Sequence, residues 1–70
     1  MKIRNKWNDE IILEVDEFYA CQEYSEATTK YVELLEIEDY FGDTIAHIAY
    51  VDCYENKQFT EVQVETLKYI

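Results

Sequence analysis

Proline is absent from these 70 residues, and glycine occurs once, at Gly42. The chain therefore has no flexible linker, no low-complexity tract and no glycine-rich loop of the kind that cradles phosphates. Two cysteines, Cys21 and Cys53, are too few for a disulfide scaffold, and their 31-residue separation is not metal-ligand spacing. Both read as free, half-buried thiols in a reducing compartment. No apolar run reaches the length of a signal peptide or a membrane span, which predicts a cytoplasmic protein. Positive charge is scarce too. Lys and Arg total six, and Lys2, Arg4 and Lys6 crowd the first six positions.

What is abundant is negative charge. Sixteen Asp and Glu give a formal net charge of −10. From Trp7 onward, all sixteen acids face only Lys30, Lys57 and Lys68. A small domain stays soluble with a net charge of about 2–8 in magnitude, and the surplus costs stability through self-repulsion. A strongly positive partner would offset that cost. Apolar residues make up 49% and aromatic residues 16%, too much for a disordered chain. One compact domain over residues 1–70 is expected, of a size that buries only about 60% of its unfolded surface.

Lys2 to Trp7 reads as a short strand, and Asn8-Asp9 as a two-residue turn, since both residue types tolerate positive φ. Glu10 to Val15 is the return strand, with Ile11, Leu13 and Val15 on one face. At Asp16-Glu17 the apolar parity slips from odd to even, as at a bulge or short loop before Phe18, Ala20 and Cys21. Ser25 suits a helix N-cap with Glu26 in the first turn. Ala27, Tyr31, Leu34, Leu35 and Phe41 fall at helical spacing, and Gly42 suits the closing position. A strand across Lys30 to Tyr40 competes, because Tyr31, Val32, Ile37 and Tyr40 suit a sheet. The cap and the sole glycine favour the helix. Thr44 to Tyr54 reads as a strand, residues 55–58 as a tight turn, and Phe59 to Ile70 as a strand of clear period two. The expected fold class is α+β: one helix on a largely antiparallel four-stranded sheet, in the order ββαββ. One helix covers one sheet face, so the other keeps apolar and tyrosyl side chains, as in a homodimer or a binding patch.

Catalytic signals are thin. His47 is the only histidine, has no Ser, Cys or carboxylate beside it in sequence, and reads as a core or edge residue with a hydrogen-bond partner. No carboxylate pair stands out as an acid–base couple. The acids near Gly42 lack calcium-loop spacing. No enzyme activity, metal or cofactor is expected.

The acids are better read geometrically. On a helix, Glu26, Glu33 and Glu36 project on neighbouring turns, about 5–6 Å apart for i,i+3 steps. On a strand, Glu61 and Glu65 flank Gln63 at about 6.8 Å per two residues. Both pitches approach the phosphate spacing of a nucleic acid, so rigid carboxylates could fill a groove built for phosphates. Seven tyrosines add rigid contact area with polar tips. Direct nucleic-acid binding is opposed by the charge.

The run Lys2-Ile3-Arg4-Asn5-Lys6-Trp7-Asn8-Asp9-Glu10-Ile11-Ile12-Leu13-Glu14 resembles the N-terminal hairpin of many small bacteriophage-encoded proteins. Tyr24-Ser25-Glu26-Ala27, with the expected helix and two strands after it, is similar to short phage proteins of strand–helix–strand type. Size, acidity and the missing catalytic constellation resemble phage counter-defence and host-takeover proteins, including anti-CRISPR proteins and DNA mimics. The resemblance implies a stoichiometric inhibitor in the host cytoplasm, occupying the basic surface of a nuclease or other nucleic-acid-binding protein. The expected contacts are Glu33, Glu36, Glu38, Asp39, Asp43, Glu61 and Glu65, with Tyr40 and Tyr54 beside them. The alternative is a homodimerising adaptor or assembly module that uses the open sheet face.

Overall fold

The computed structural model describes residues 1–22 and 30–70. Its strands are β1 (Lys2–Arg4), β2 (Glu10–Ile12), β3 (Phe18–Cys21), β4 (Lys30–Tyr40), β5 (Asp43–Val51), β6 (Lys57–Gln63) and β7 (Leu67–Lys68), with one 3-10 turn at Val64–Thr66. β1 and β2 form a two-stranded antiparallel ribbon; the others form an antiparallel sheet in the order β6-β5-β4-β3-β7. The fold is nearly all-β, which corrects the expected α+β class. The cap at Ser25 and its neighbours lie outside the described residues.

The difference has a physical source in β4. Leu34 pairs with Ile48, but the next matched pair is Glu36 with His47, so Leu35 is the extra residue of a bulge. A bulge reverses side-chain parity along a strand. Val32 and Leu34 point into the core before it, and Ile37 packs against the core after it. Apolar positions thus fall two and then three apart, which imitates helical spacing. Gly42 does not end a helix. It sits with Phe41 in the two-residue connection between the paired residues Tyr40 and Asp43. Phe41 has φ 49° and Gly42 φ 88°, and positive φ at both central residues is the type I′ hairpin requirement.

The last predicted strand also breaks. β6 ends at Gln63, the 3-10 turn spans Val64–Thr66, and β7 is only two residues long. The β5–β6 turn is built on Asp52, before the predicted position. Its carboxylate accepts bonds from the Tyr54 and Asn56 amides at 2.8 and 3.0 Å, and from Gln58 Nε2 at 3.0 Å. The expected irregularity at Asp16-Glu17 is present: Asp16 has φ 73° and separates Leu13 from β3.

The core joins both sheets. Ile11 and Leu13 meet Tyr19, Val32, Leu34, Ala46, Ile48, Val62 and Leu67. Asn5, the one buried polar residue among those described, ties the ribbon to β7. Its Nδ2 donates to the Leu67 carbonyl at 3.0 Å, and its Oδ1 accepts from the Trp7 and Asp9 amides at 3.0 and 2.9 Å. The same junction is held by the Lys6 amide, which donates to the Glu65 carbonyl at 2.9 Å, and by the Ile12 amide, which donates to the Tyr69 hydroxyl at 2.9 Å. Asn8 takes positive φ as the turn reading expected, but the loop closes around Asn5 rather than as a two-residue turn.

Candidate functional site: the outer face of the sheet

Alternation sends Tyr31 and Glu33 of β4 outward, away from the core, together with His47 of β5 and Phe59 and Glu61 of β6. Beyond the bulge, Glu36 and Glu38 join the same face. Glu36 lies directly across β4–β5 from His47, and Glu61 lies directly across β5–β6 from it. The imidazole therefore sits at the centre of three carboxylates drawn from the two flanking strands.

Its Nε2 is 2.8 Å from Glu38 Oε2, and its Nδ1 is 3.5 Å from Glu61 Oε1. The hydrogen bond to Glu38 raises the His47 pKa above 6.5; partial desolvation opposes it, and the charges of Glu61, Glu38 and Glu36 add to the rise. Both ring nitrogens face carboxylates, and among the described residues no hydroxyl or thiol bonds to the ring. The group can hold or release a proton at the middle of the acidic surface. Within that arrangement it has no nucleophile to activate. No cluster among the described residues has the make-up of a metal site.

The face has a second half. Towards the start of β4, Phe18, Tyr31, Ala49 and Val51 line a shallow groove with Lys30 and Lys57 at its rim. Phe18, Tyr31, Val51 and Phe59 are all more than half exposed. Lys57 reaches Glu33 at 3.9 Å and stands 5.6 Å over the Phe59 ring. The outer face is thus polarised: apolar and partly cationic at one end, acidic at the other.

The predicted contact residues divide accordingly. Glu36, Glu38 and Glu61 converge on His47, with Glu33 at the border of the groove. Asp39, Tyr40 and Asp43 cluster at the β4–β5 hairpin, where Asp39 accepts a bond from the Thr44 hydroxyl at 3.0 Å. Glu65 is displaced into the 3-10 turn and lines another depression with Asp43 and Arg4. It does not continue the Glu61 row, because β6 stops at Gln63. Tyr54 lies in the opposite turn, between β5 and β6, far along the sheet from Tyr40. Glu26 lies outside the described residues.

Sequence reasoning missed His47 as the centre of the cluster, and Phe18 and Tyr31 as exposed members of the same face. Cross-strand register, which a single sequence does not state, brings them together. Period two from Ile45 to Val51 does place His47 on the side of Ala49 rather than of Ala46 and Ile48. Of the cysteines, Cys21 is buried in the core and Cys53 is exposed in the β5–β6 turn, with no disulfide between them. No helix among the described residues is long and apolar enough to cross a membrane.

Scanned against protein-family models, curated proteins and solved structures, the chain matches none.

Proposed function

We propose that the chain is a small acidic inhibitor of the phage type, binding by stoichiometric contact and without catalysis. It docks the acidic half of its outer sheet face on the basic, nucleic-acid-handling surface of a host protein. The observation that carries this reading is the convergence of Glu36, Glu38 and Glu61 on one rigid sheet, with no Lys or Arg among the described residues paired with Glu38 or Glu61. One imidazole shared by three carboxylates leaves net negative charge that repels itself, and a cationic partner relieves that repulsion on contact. The sheet fixes the backbone positions of these residues, so no backbone ordering is needed on contact. Tyr40 at the hairpin and Tyr31 beside the groove supply the apolar contact that carboxylates lack.

Capture from a bacterial lysate at low ionic strength tests this. The wild-type chain should retain nucleic-acid-binding proteins, release them as salt rises, and lose them to added duplex DNA. The triple variant E36Q/E38Q/E61Q should retain far less of the same proteins. Capture that ignores both salt and DNA, or that survives the triple substitution, contradicts the reading. The other reading, an assembly module, is favoured by the apolar half of the same face, where Phe18, Tyr31, Val51 and Phe59 lie exposed together.

A further inference from the structure

The two edges of the large sheet are unlike. On one side β7 is two residues long, so little backbone is offered there. On the other, β6 runs seven residues from Lys57 to Gln63 in regular register with β5, and it is the terminal strand of the sheet among the described residues. Soluble proteins blunt such an edge with proline, a bulge, a charge pointing inward or charged side chains along the strand that repel a second copy. β6 has no proline and no break in its register with β5, and its inward residues Gln58, Thr60 and Val62 are uncharged. Its two charges, Lys57 and Glu61, cancel. In a chain of net charge −10, the one long edge is electrically neutral.

The order of those charges matters further. Lys57 and Glu61 stand two residues either side of Phe59 and on the same outward face, since Val51, Ala49 and His47 of β5 are their successive partners. A strand patterned in this way complements itself. When two copies pair antiparallel with the two-fold axis at Phe59, Lys57 of each falls opposite Glu61 of the other. Phe59 meets Phe59, and Gln58 meets Thr60 on the inward face. Opposite charges and aromatic pairs directly across a ladder are both favourable. Shifting the axis to Thr60 sets Lys57 against Gln63 and Phe59 against Glu61, and loses both.

We infer that β6 is a homodimerisation edge, at which a second copy of the chain adds antiparallel in the register centred on Phe59. The contact is isologous and closes after two copies. At physiological ionic strength the Debye length is about 8 Å, so the distant acids of the two copies are screened while the Lys57–Glu61 pairs at contact are not. Pairing joins the two outer faces into one continuous surface and sets Lys57 of each copy beside Glu61 at the margin of the other copy's His47 cluster, with Glu36 and Glu38 left open. The inference does not depend on the inhibitory reading, because it concerns the edge and not the partner of the face.

Sedimentation velocity over about 5–500 µM, in 0.15 M salt, tests it on four chains: wild type, K57E, E61K and K57E/E61K. Wild type should show a concentration-dependent dimer. Each single substitution sets like charges opposite each other twice and should weaken the dimer at least about tenfold. The double exchange restores opposite charges at both places and should return the dimer to within about threefold of wild type. A wild-type chain that stays monomeric throughout, or a double exchange as weak as the singles, overturns the inference. If a charge variant fails to fold by circular dichroism, a cysteine comparison in the Cys53→Ser background decides. Phe59→Cys, with its Cβ about 4.5–5.5 Å from its counterpart, should oxidise to a covalent dimer at least about tenfold faster than Lys57→Cys, whose counterpart lies about 13 Å along the strands. Equal rates overturn it.

Discussion

Replacing Asn5 with alanine should be the most damaging single polar substitution in the chain. The side chain is 5% exposed and makes three bonds to backbone groups at 2.9–3.0 Å: one to Leu67, 62 positions away, and two within the ribbon loop, to Trp7 and Asp9. Alanine leaves the Leu67 carbonyl without this donor and the Trp7 and Asp9 amides without their acceptor. Each such bond contributes about 0.5–1.5 kcal/mol net, and a buried partner left unmade costs more. The sum is about 2–4 kcal/mol, against about 4–10 kcal/mol expected for the whole stability of a chain this size. At about 4–8 °C per kcal/mol, the midpoint should fall by about 8–32 °C. Thermal and urea unfolding can be followed through Trp7, which is half-buried between the ammonium groups of Lys6 and Lys68, each 4.9 Å from its ring. A loss under about 0.5 kcal/mol would refute the claim that Asn5 holds the terminal ribbon to the main sheet.

Three further outcomes concern His47 and the β4–β5 turn. By NMR titration, His47 should titrate above 6.5, and Glu38→Gln should bring it back toward that value because the largest cause of its rise is removed. A folded pKa raised above the unfolded one means that the stabilisation is full below pH 6.5 and is lost as pH climbs through the folded value; urea midpoints should show this for wild type and not for His47→Gln. Gly42→Ala should cost about 1–2 kcal/mol, from the left-handed conformation alone, since an added Cβ at φ 88° meets nothing within 4 Å. Gly42→Asn should cost less; equal stability of wild type and the alanine variant in urea would contradict the I′ turn.

Much of the β architecture was legible in residue order. The ribbon of Ile11 and Leu13, the irregularity at Asp16 and the strand through Ile45 to Val51 all reflect period-two alternation and residues that accept positive φ. The segment from Lys30 to Tyr40 was not legible in the same way. Its bulge at Leu35 shifts the apolar period in mid-strand, and a two-residue turn with its glycine looks, in sequence, like a helix terminus. Tyr31, Val32, Ile37 and Tyr40 carried the correct signal, outweighed by the apparent cap. The number of acids is plain in the sequence, but their grouping depends on register. Glu36 and Glu61 are neighbours only because both pair with His47, whereas Glu65 and Tyr54 were carried elsewhere by the 3-10 turn and the Asp52 loop.

The acidic face itself is tested most directly by backbone NMR of the labelled chain bound, at low salt, to a purified protein captured from lysate. The largest shift changes should fall on Glu36, Glu38, His47 and Glu61, and should fade as salt is raised. Changes confined to the β1–β2 ribbon and the Asp52 turn, with β4 and β5 unmoved, would contradict the account.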